Sequence, residues 1–310
     1  MIYFMKKVYI TGISGMLGSN IGYLFKNKYS VCGVDKIILK KMDILLTEKF
    51  DLLDFDMLSR SIKRFKPDYL IHTAAMVNVD LCEEKKELAY NLNTKLTGWI
   101  ADICNEINCK MIYISTDAVF DGVNEKLYKE TDITNPVNIY GKTKLEGENK
   151  VIQNPNNLIL RTNIYGFNIQ DKSSFGEWVL NGLDNGNMLK MFYDIDFSPI
   201  LVNDLTELID KAIENGLSGI YHACGSGCIS KYDFGCYLKK IFHIKNGKII
   251  RTSCDGFNFK AERSRHMGMS NKKISDELCC KIRSPEDSIR EFYRLYCEGY
   301  PEKLKTFGGM

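Results

Sequence analysis

Gly12-Ile-Ser-Gly15-Met-Leu-Gly18 follows directly on the β-rich run Lys7-Val-Tyr-Ile-Thr11. Residues 20–28 then carry apolar side chains at Ile21, Leu24 and Phe25, a helical spacing. A glycine-spaced turn between a strand and a helix narrows the choice of fold more than any other stretch of this chain. Gly12 permits the tight turn, Gly15 lets the backbone approach a pyrophosphate, and Gly18 lets the helix pack closely on the strand. The helix N-terminus adds N–H donors and partial positive charge. The spacing is GxxGxxG rather than GxGxxG, so the strand–turn–helix context carries the reading of a dinucleotide site. Ser14, Met16 and Leu17 belong to it as loop and first-turn residues.

A second strand is expected over residues 29–34, with Asp35 at its end. A carboxylate there accepts hydrogen bonds from the adenosine ribose hydroxyls and repels a 2′-phosphate, which favours NAD(H). Lys36, Lys40 and Lys41 stand close by in the chain and leave NADP(H) open. Asp51, with the Leu52 amide beside it, is placed at the adenine amino group, and Asp54 is an N-cap for the helix after it. That helix carries an apolar face through Met57, Leu58, Ile62 and Phe65 and stops at Pro67. The strand Tyr69-Leu-Ile-His-Thr73 ends in Ala74-Ala75-Met76, small enough at its start for a flat cofactor to lie against the backbone. Residues 80–108 read as one long helical stretch, with Asn91 and Asn93 inside it. Asn93, if it faces the sheet, can tie down a strand backbone near the site.

Lys110-Met-Ile-Tyr-Ile114 is a further strand followed by Ser115-Thr116-Asp117. Open α/β sheets hold their ligands at the carboxyl ends of strands, where Thr116 can hydrogen-bond a carbonyl. Tyr140-Gly-Lys-Thr-Lys144 then opens a helix with a phenol and an ammonium on one face, one turn apart. An adjacent ammonium lowers a phenol's pKa, which suits a tyrosine that delivers a proton near neutral pH. A strand over residues 157–161 continues the alternation. Alternating strands and helices with short connections make a doubly wound parallel sheet of Rossmann type. After Gly166 the chain turns polar around a helix holding Phe175, Trp178, Val179 and Leu183. Residues 1–166 are therefore expected to form the dinucleotide-binding domain. Residues 167–310 should form mainly a smaller, interleaved substrate lobe, with a return to the first domain over about 190–223.

Composition excludes several classes. The balance of 42 basic and 39 acidic residues gives a net charge of +3 and no warrant for nucleic acid. No apolar run approaches a membrane span, and residues 1–7 are too short and mixed for a signal peptide. Eleven cysteines without such a signal read as reduced, cytoplasmic thiols. Cys224-Gly-Ser-Gly-Cys228 and Cys279-Cys280 lack zinc-site spacing, so no metal is expected. The four histidines fall in no pattern of a Ser/His/Asp hydrolase.

Taken jointly, Gly12-x-x-Gly15-x-x-Gly18, Asp51-Leu52, Ala74-Ala75, Thr116 and Tyr140-x-x-x-Lys144 resemble the extended short-chain dehydrogenase/reductase family. Ser115-Thr-Asp-Ala-Val-Phe-Asp-Gly122, then Tyr128-x-Glu130-x-Asp132-x-x-x-Pro136-x-x-x-Tyr140-Gly, is similar to its dTDP-4-dehydrorhamnose reductase branch. That resemblance implies NAD(P)H-dependent reduction of the 4-keto group of a nucleotide-linked 6-deoxysugar, in deoxysugar or surface polysaccharide biosynthesis. It places Thr116, Tyr140 and Lys144 in catalysis and Asp117, Asn163 and Arg263 on the sugar. Lys144 would also hold the nicotinamide ribose. A homodimer is among the expectations. The departures lie on the substrate side: Ile164 stands where the branch has tryptophan, the Pro199 region lacks its glutamine and threonine, and Ser264-Arg265-His266-Met267 replaces a proline and an asparagine-serine pair.

Two neighbouring activities and one non-catalytic role compete. A 4,6-dehydratase needs an acid/base pair after the threonine, and Ala118 follows Asp117. A nucleotide-sugar 4-epimerase on the same fold is disfavoured by Thr116-Asp-x-Val-Phe120. The same branch also resembles the non-catalytic regulatory subunit of methionine adenosyltransferase, against which the intact Thr116, Tyr140 and Lys144 argue.

Overall fold

The computed structural model describes residues 5–37 and 45–308. Lys40 and Lys41 lie outside them. A seven-stranded sheet organises the molecule: β1 (Lys7–Thr11), β2 (Ser30–Asp35), β3 (Leu46–Lys49), β4 (Tyr69–His72), β5 (Lys110–Thr116), β6 (Leu158–Thr162) and an edge strand, Gly219–His222. The spatial order is edge strand, β6, β5, β4, β1, β2, β3, and every pairing is parallel. The order reverses between β1 and β4, which opens a crevice at the carboxyl ends of the strands.

Helices cover both faces, so the central strands are apolar almost throughout. Alternation sorts their side chains. Val8, Ile10, Ile112 and Ile114 enter one core, while Tyr9, Met111 and Tyr113 enter the other. The helix α1 (Met16–Phe25) buries Ile21 and Phe25 and turns Leu24 outward. The helix α2 (Phe55–Phe65) starts at Asp54, whose carboxylate accepts the Met57 N–H at 3.0 Å. It ends at Lys66 in the left-handed conformation, before Pro67.

The long helix expected over residues 80–108 is interrupted. Helices Val79–Glu84 and Lys86–Tyr90 meet at Lys85, whose φ of −122° and ψ of 56° break the ladder. A π-helical turn, Asn91–Lys95, follows and leads into Leu96–Glu106. Such a widened turn re-aims a side chain inward without ending the helix. Here the inward side chain is Asn93, which is fully buried.

The second half returns to the sheet through Gly219–His222 and to β6 through its extension, where Ile164–Tyr165 pairs with Ile200–Leu201. Its remaining small sheets join Asp196–Phe197 to Ile229–Ser230 and His266–Met267, and Met188–Phe192 to Lys248–Thr252. The C-terminal helix Tyr300–Gly308 packs on α1, and Tyr300 donates to Asn20 Oδ1 at 2.7 Å. Among the described residues no helix is long and apolar enough to cross a membrane.

Candidate active site

The helix Ile139–Val151 carries Tyr140 and Lys144. Asn138 caps it by accepting the Gly141 N–H at 2.9 Å. A Cβ on Gly141 would stand 2.1 Å from the Ala118 carbonyl oxygen, so only glycine lets this helix press against the turn after β5. That approach sets Tyr140 beside Thr116. Lys144 is buried, and its Nζ donates to Ile114 O at 2.7 Å while lying 4.0 Å from the centre of the Tyr113 ring.

Burial rules the electrostatics of this turn. The Tyr140 phenol is pushed up, first by desolvation, with the Thr116 hydroxyl opposing and Asp117 adding to the rise. Lys144 is pushed down to about 7, again by desolvation, with Glu148 opposing. The lowered phenol expected from the Tyr140/Lys144 spacing is therefore not what the fold produces. Lys144 is buried and Tyr140 half-buried, and lost hydration shifts each toward its neutral form.

At the glycine turn, Gly12 adopts φ +77°, and a Cβ there would meet Ala74 N at 2.9 Å. A Cβ on Gly18 would fall 2.2 Å from Gly12 O. The first turn of α1, at Met16 and Leu17, follows Gly15 and receives no side-chain cap, which leaves its N–H groups for a phosphate. This cradle fits a dinucleotide. The Asp35 carboxylate accepts from Ser14 N at 3.1 Å and Lys36 N at 2.7 Å. Lys36 Nζ pairs with Asp51 at 2.9 Å, and Asp51 also accepts from Leu53 N, while Leu52 is buried. Ala74 and Ala75 follow β4, and Asn93 grips Met76 beyond them, accepting from its N–H at 2.8 Å and donating to its carbonyl at 3.1 Å. Asn93 also donates to Thr143 Oγ1, linking this crossing to the Tyr140 helix. Gln170 escaped the sequence reading; it donates to Ser14 O from the second half of the chain.

A cavity of about 360 Å³ adjoins the Thr116–Ala118 turn. Asp117 and Asn163 line its floor, with Asn163 Nδ2 donating to Asp117 Oδ2. Asp117 is buried and its carboxyl pushed up by desolvation, against the pull of Asn163 and Lys231. Phe175, Trp178, Phe192 and Phe259 give the cavity aromatic walls. Arg263 reaches it too, held by Asp80 at 2.7 Å. Lys231 also lines it, and no local motif marks that residue in the sequence.

A family model, the RmlD substrate binding domain, matches residues 5–297. The chain belongs to the RmlD family. Among relatives of this RmlD-family chain, dTDP-4-dehydrorhamnose reductase of Aggregatibacter actinomycetemcomitans is 32% identical over 74% of this chain and 77% of its own. Methionine adenosyltransferase 2 subunit beta of Bos taurus is 30% identical over 87% of this chain and 81% of its own. The solved structure of dTDP-4-dehydrorhamnose reductase from Bacillus anthracis in complex with NADP superposes with a TM-score of 0.85 at 26% identity, covering 94% and 99% of the two chains. Within the RmlD-family fold, the departures seen in the sequence gather on the second half's side. Ile164 pairs with Ile200 next to Pro199, and Ser264 and Met267 line the cavity.

Proposed function

We propose that the chain is an NAD(P)H-dependent oxidoreductase that reduces the 4-keto group of a nucleotide-linked 6-deoxysugar, as the name of its reductase relatives suggests. The observation that carries this reading is the Tyr140 phenol set against the Thr116 hydroxyl at the carboxyl end of β5, with Lys144 anchored on Ile114 O of the same strand and Asp117, next to Thr116, opening into the cavity. Gly12, Ser14, Gly15, Met16 and Leu17 would hold the pyrophosphate, Asp35 the adenosine ribose, Asp51 and Leu52 the adenine, and Ala74 to Met76 the flat face. The two-electron reduction comes from the cofactor when bound.

This chain's own residues handle the proton. Tyr140, a phenol and therefore protonated at neutral pH, gives its proton to the carbonyl oxygen as the carbon is reduced. The charge that develops on the phenol oxygen would favour the ammonium form of Lys144, one helical turn away, and be stabilised by it in return. Thr116 orients the carbonyl, and Asp117, Asn163 and Arg263 meet the sugar. Asp35 supports NADH over NADPH, since its carboxylate would repel a 2′-phosphate and Lys36 is engaged by Asp51. A cytosolic setting suits the eleven free thiols. We assign residues up to 166, with the return over about 190–223, to the cofactor and the remainder mainly to the sugar nucleotide.

The test is oxidation of NADH and NADPH, followed by absorbance, with a panel of nucleotide-linked 4-keto-6-deoxysugars. Consumption that needs one substrate and vanishes in Tyr140→Phe supports the reductase. Strong preference for NADPH would overturn the Asp35 argument. The subunit beta relative, at 30% identity, favours a second reading as a non-catalytic regulatory protein. Intact cofactor binding with no consumption across the panel would favour this reading or the epimerase over the reductase.

A further inference from the structure

Lys231 is the first residue of the helix Lys231–Ile241, capped by Ser230, whose hydroxyl accepts the Asp233 N–H at 3.0 Å. Its own N–H donates to Ile195 O at 3.0 Å, which fixes its backbone against the segment leading into Asp196–Phe197. The side chain lies over aromatic rings, with Nζ 3.2 Å from the centre of Phe197 and 4.4 Å from that of Phe175. It lines the cavity whose floor is Asp117 and Asn163.

Among the described residues no carboxylate makes an ion pair with this ammonium. Asp117 and Cys228 act on it only at longer range, and burial pushes its pKa down to about 8. The other cavity cations differ. Arg263 is committed to Asp80, and Lys190 is exposed. An ammonium half-buried against aromatic rings loses hydration that the ring faces only partly offset. A methionine would fill the same space without that cost, so packing does not account for the charge.

The chemistry of a hexose nucleotide supplies the missing partner. C1 and C4 stand at opposite ends of the pyranose ring. With the C4 carbonyl at Thr116 and Tyr140, the diphosphate on C1 would stand one sugar length away, and the cavity that Lys231 lines begins at Asp117, next to Thr116. We propose that Lys231 is the cation that anchors the diphosphate of the substrate, setting affinity for the nucleotide sugar and not the rate of the chemical step. This rests on the nucleotide-sugar reading above.

The experiment measures binding of UDP, GDP, CDP and dTDP, each beside its parent nucleoside, by calorimetry with saturating reduced cofactor. Wild type is compared with Lys231→Met and Lys231→Arg. One diphosphate should bind wild type, weaken about ten-fold or more in Lys231→Met, and recover substantially in Lys231→Arg, because a charged hydrogen bond is lost and then restored. Affinity for the nucleoside and for the cofactor should not move, which also shows that the variant is folded. With the keto-sugar, Lys231→Met should raise KM by a similar factor and leave kcat within about two-fold.

Equal diphosphate affinity in Lys231→Met, or a fall in kcat at constant KM, overturns the inference. Turnover with unchanged affinity would sink it while leaving the reductase reading intact. Lys231-dependent diphosphate binding without turnover would do the reverse. No binding and no turnover by wild type would sink both.

Discussion

Arg161 on β6 grips Glu148 on the helix Ile139–Val151 through both Nε and Nη2, the latter at 2.7 Å, with both side chains buried. Ser115 Oγ donates to the same carboxylate. The pair locks the helix of Tyr140 and Lys144 to two strands one turn below Lys144. Replacing Arg161 by Met should lower stability by about 3–5 kcal/mol, because Glu148 would be left buried and uncompensated. Replacing Glu148 by Leu as well should recover much of that loss. Urea unfolding of the two variants measures both changes.

Gly18 and Gly256 make a matched test of close approach. A methyl group on Gly18 would stand 2.2 Å from Gly12 O, whereas one on Gly256 meets nothing within 4 Å. Gly18→Ala should therefore cost about 1–3 kcal/mol and weaken cofactor binding. Gly256→Ala should stay within about 0.5 kcal/mol of wild type. Thermal melts with and without reduced cofactor distinguish the two.

Lys144 should make stability depend on pH in a defined direction. Its pKa is lowered from 10.5 to about 7 in the folded chain. Between those values the unfolded chain binds a proton that the folded one has released, so this residue makes the fold more stable as pH rises. Below pH 7 both states hold the proton and its full destabilising effect is present. Lys144→Met should thus melt above wild type near pH 6.5, and the gap should shrink toward pH 10. A gap that is constant or grows with pH would count against the buried, depressed lysine.

Asn93 supplies both partners of the Met76 backbone. In Asn93→Ala those buried groups lose their bonds, at a cost of about 1–3 kcal/mol. Hydrogen exchange at the Met76 amide should accelerate by more than exchange in β1. Equal acceleration everywhere would mean global destabilisation and no local clamp.

The sheet, its helices and the positions of Thr116, Tyr140 and Lys144 along them were readable in the chain because their signals are local. Period-two and helical spacings mark elements, and Asp54, Pro67 and the glycines of the first turn mark their ends. The π turn at Asn91–Lys95 left no such mark, since an inward amide and an outward one have the same residue type. The direction of the Tyr140 shift also lay beyond the sequence. Spacing shows that an ammonium is near, but only packing decides how much water both groups lose, and burial reverses the expected sign. The cavity is likewise a tertiary product, since Asp117, Asn163, Phe175, Lys231 and Arg263 come from separate segments. By itself the sequence determined the doubly wound architecture and the order of its motifs, because backbone periodicity and turn chemistry act over a few residues. Only the tertiary structure decided which charges face one another across the cavity and which remain without a partner, because desolvation and long-range contact depend on the whole fold.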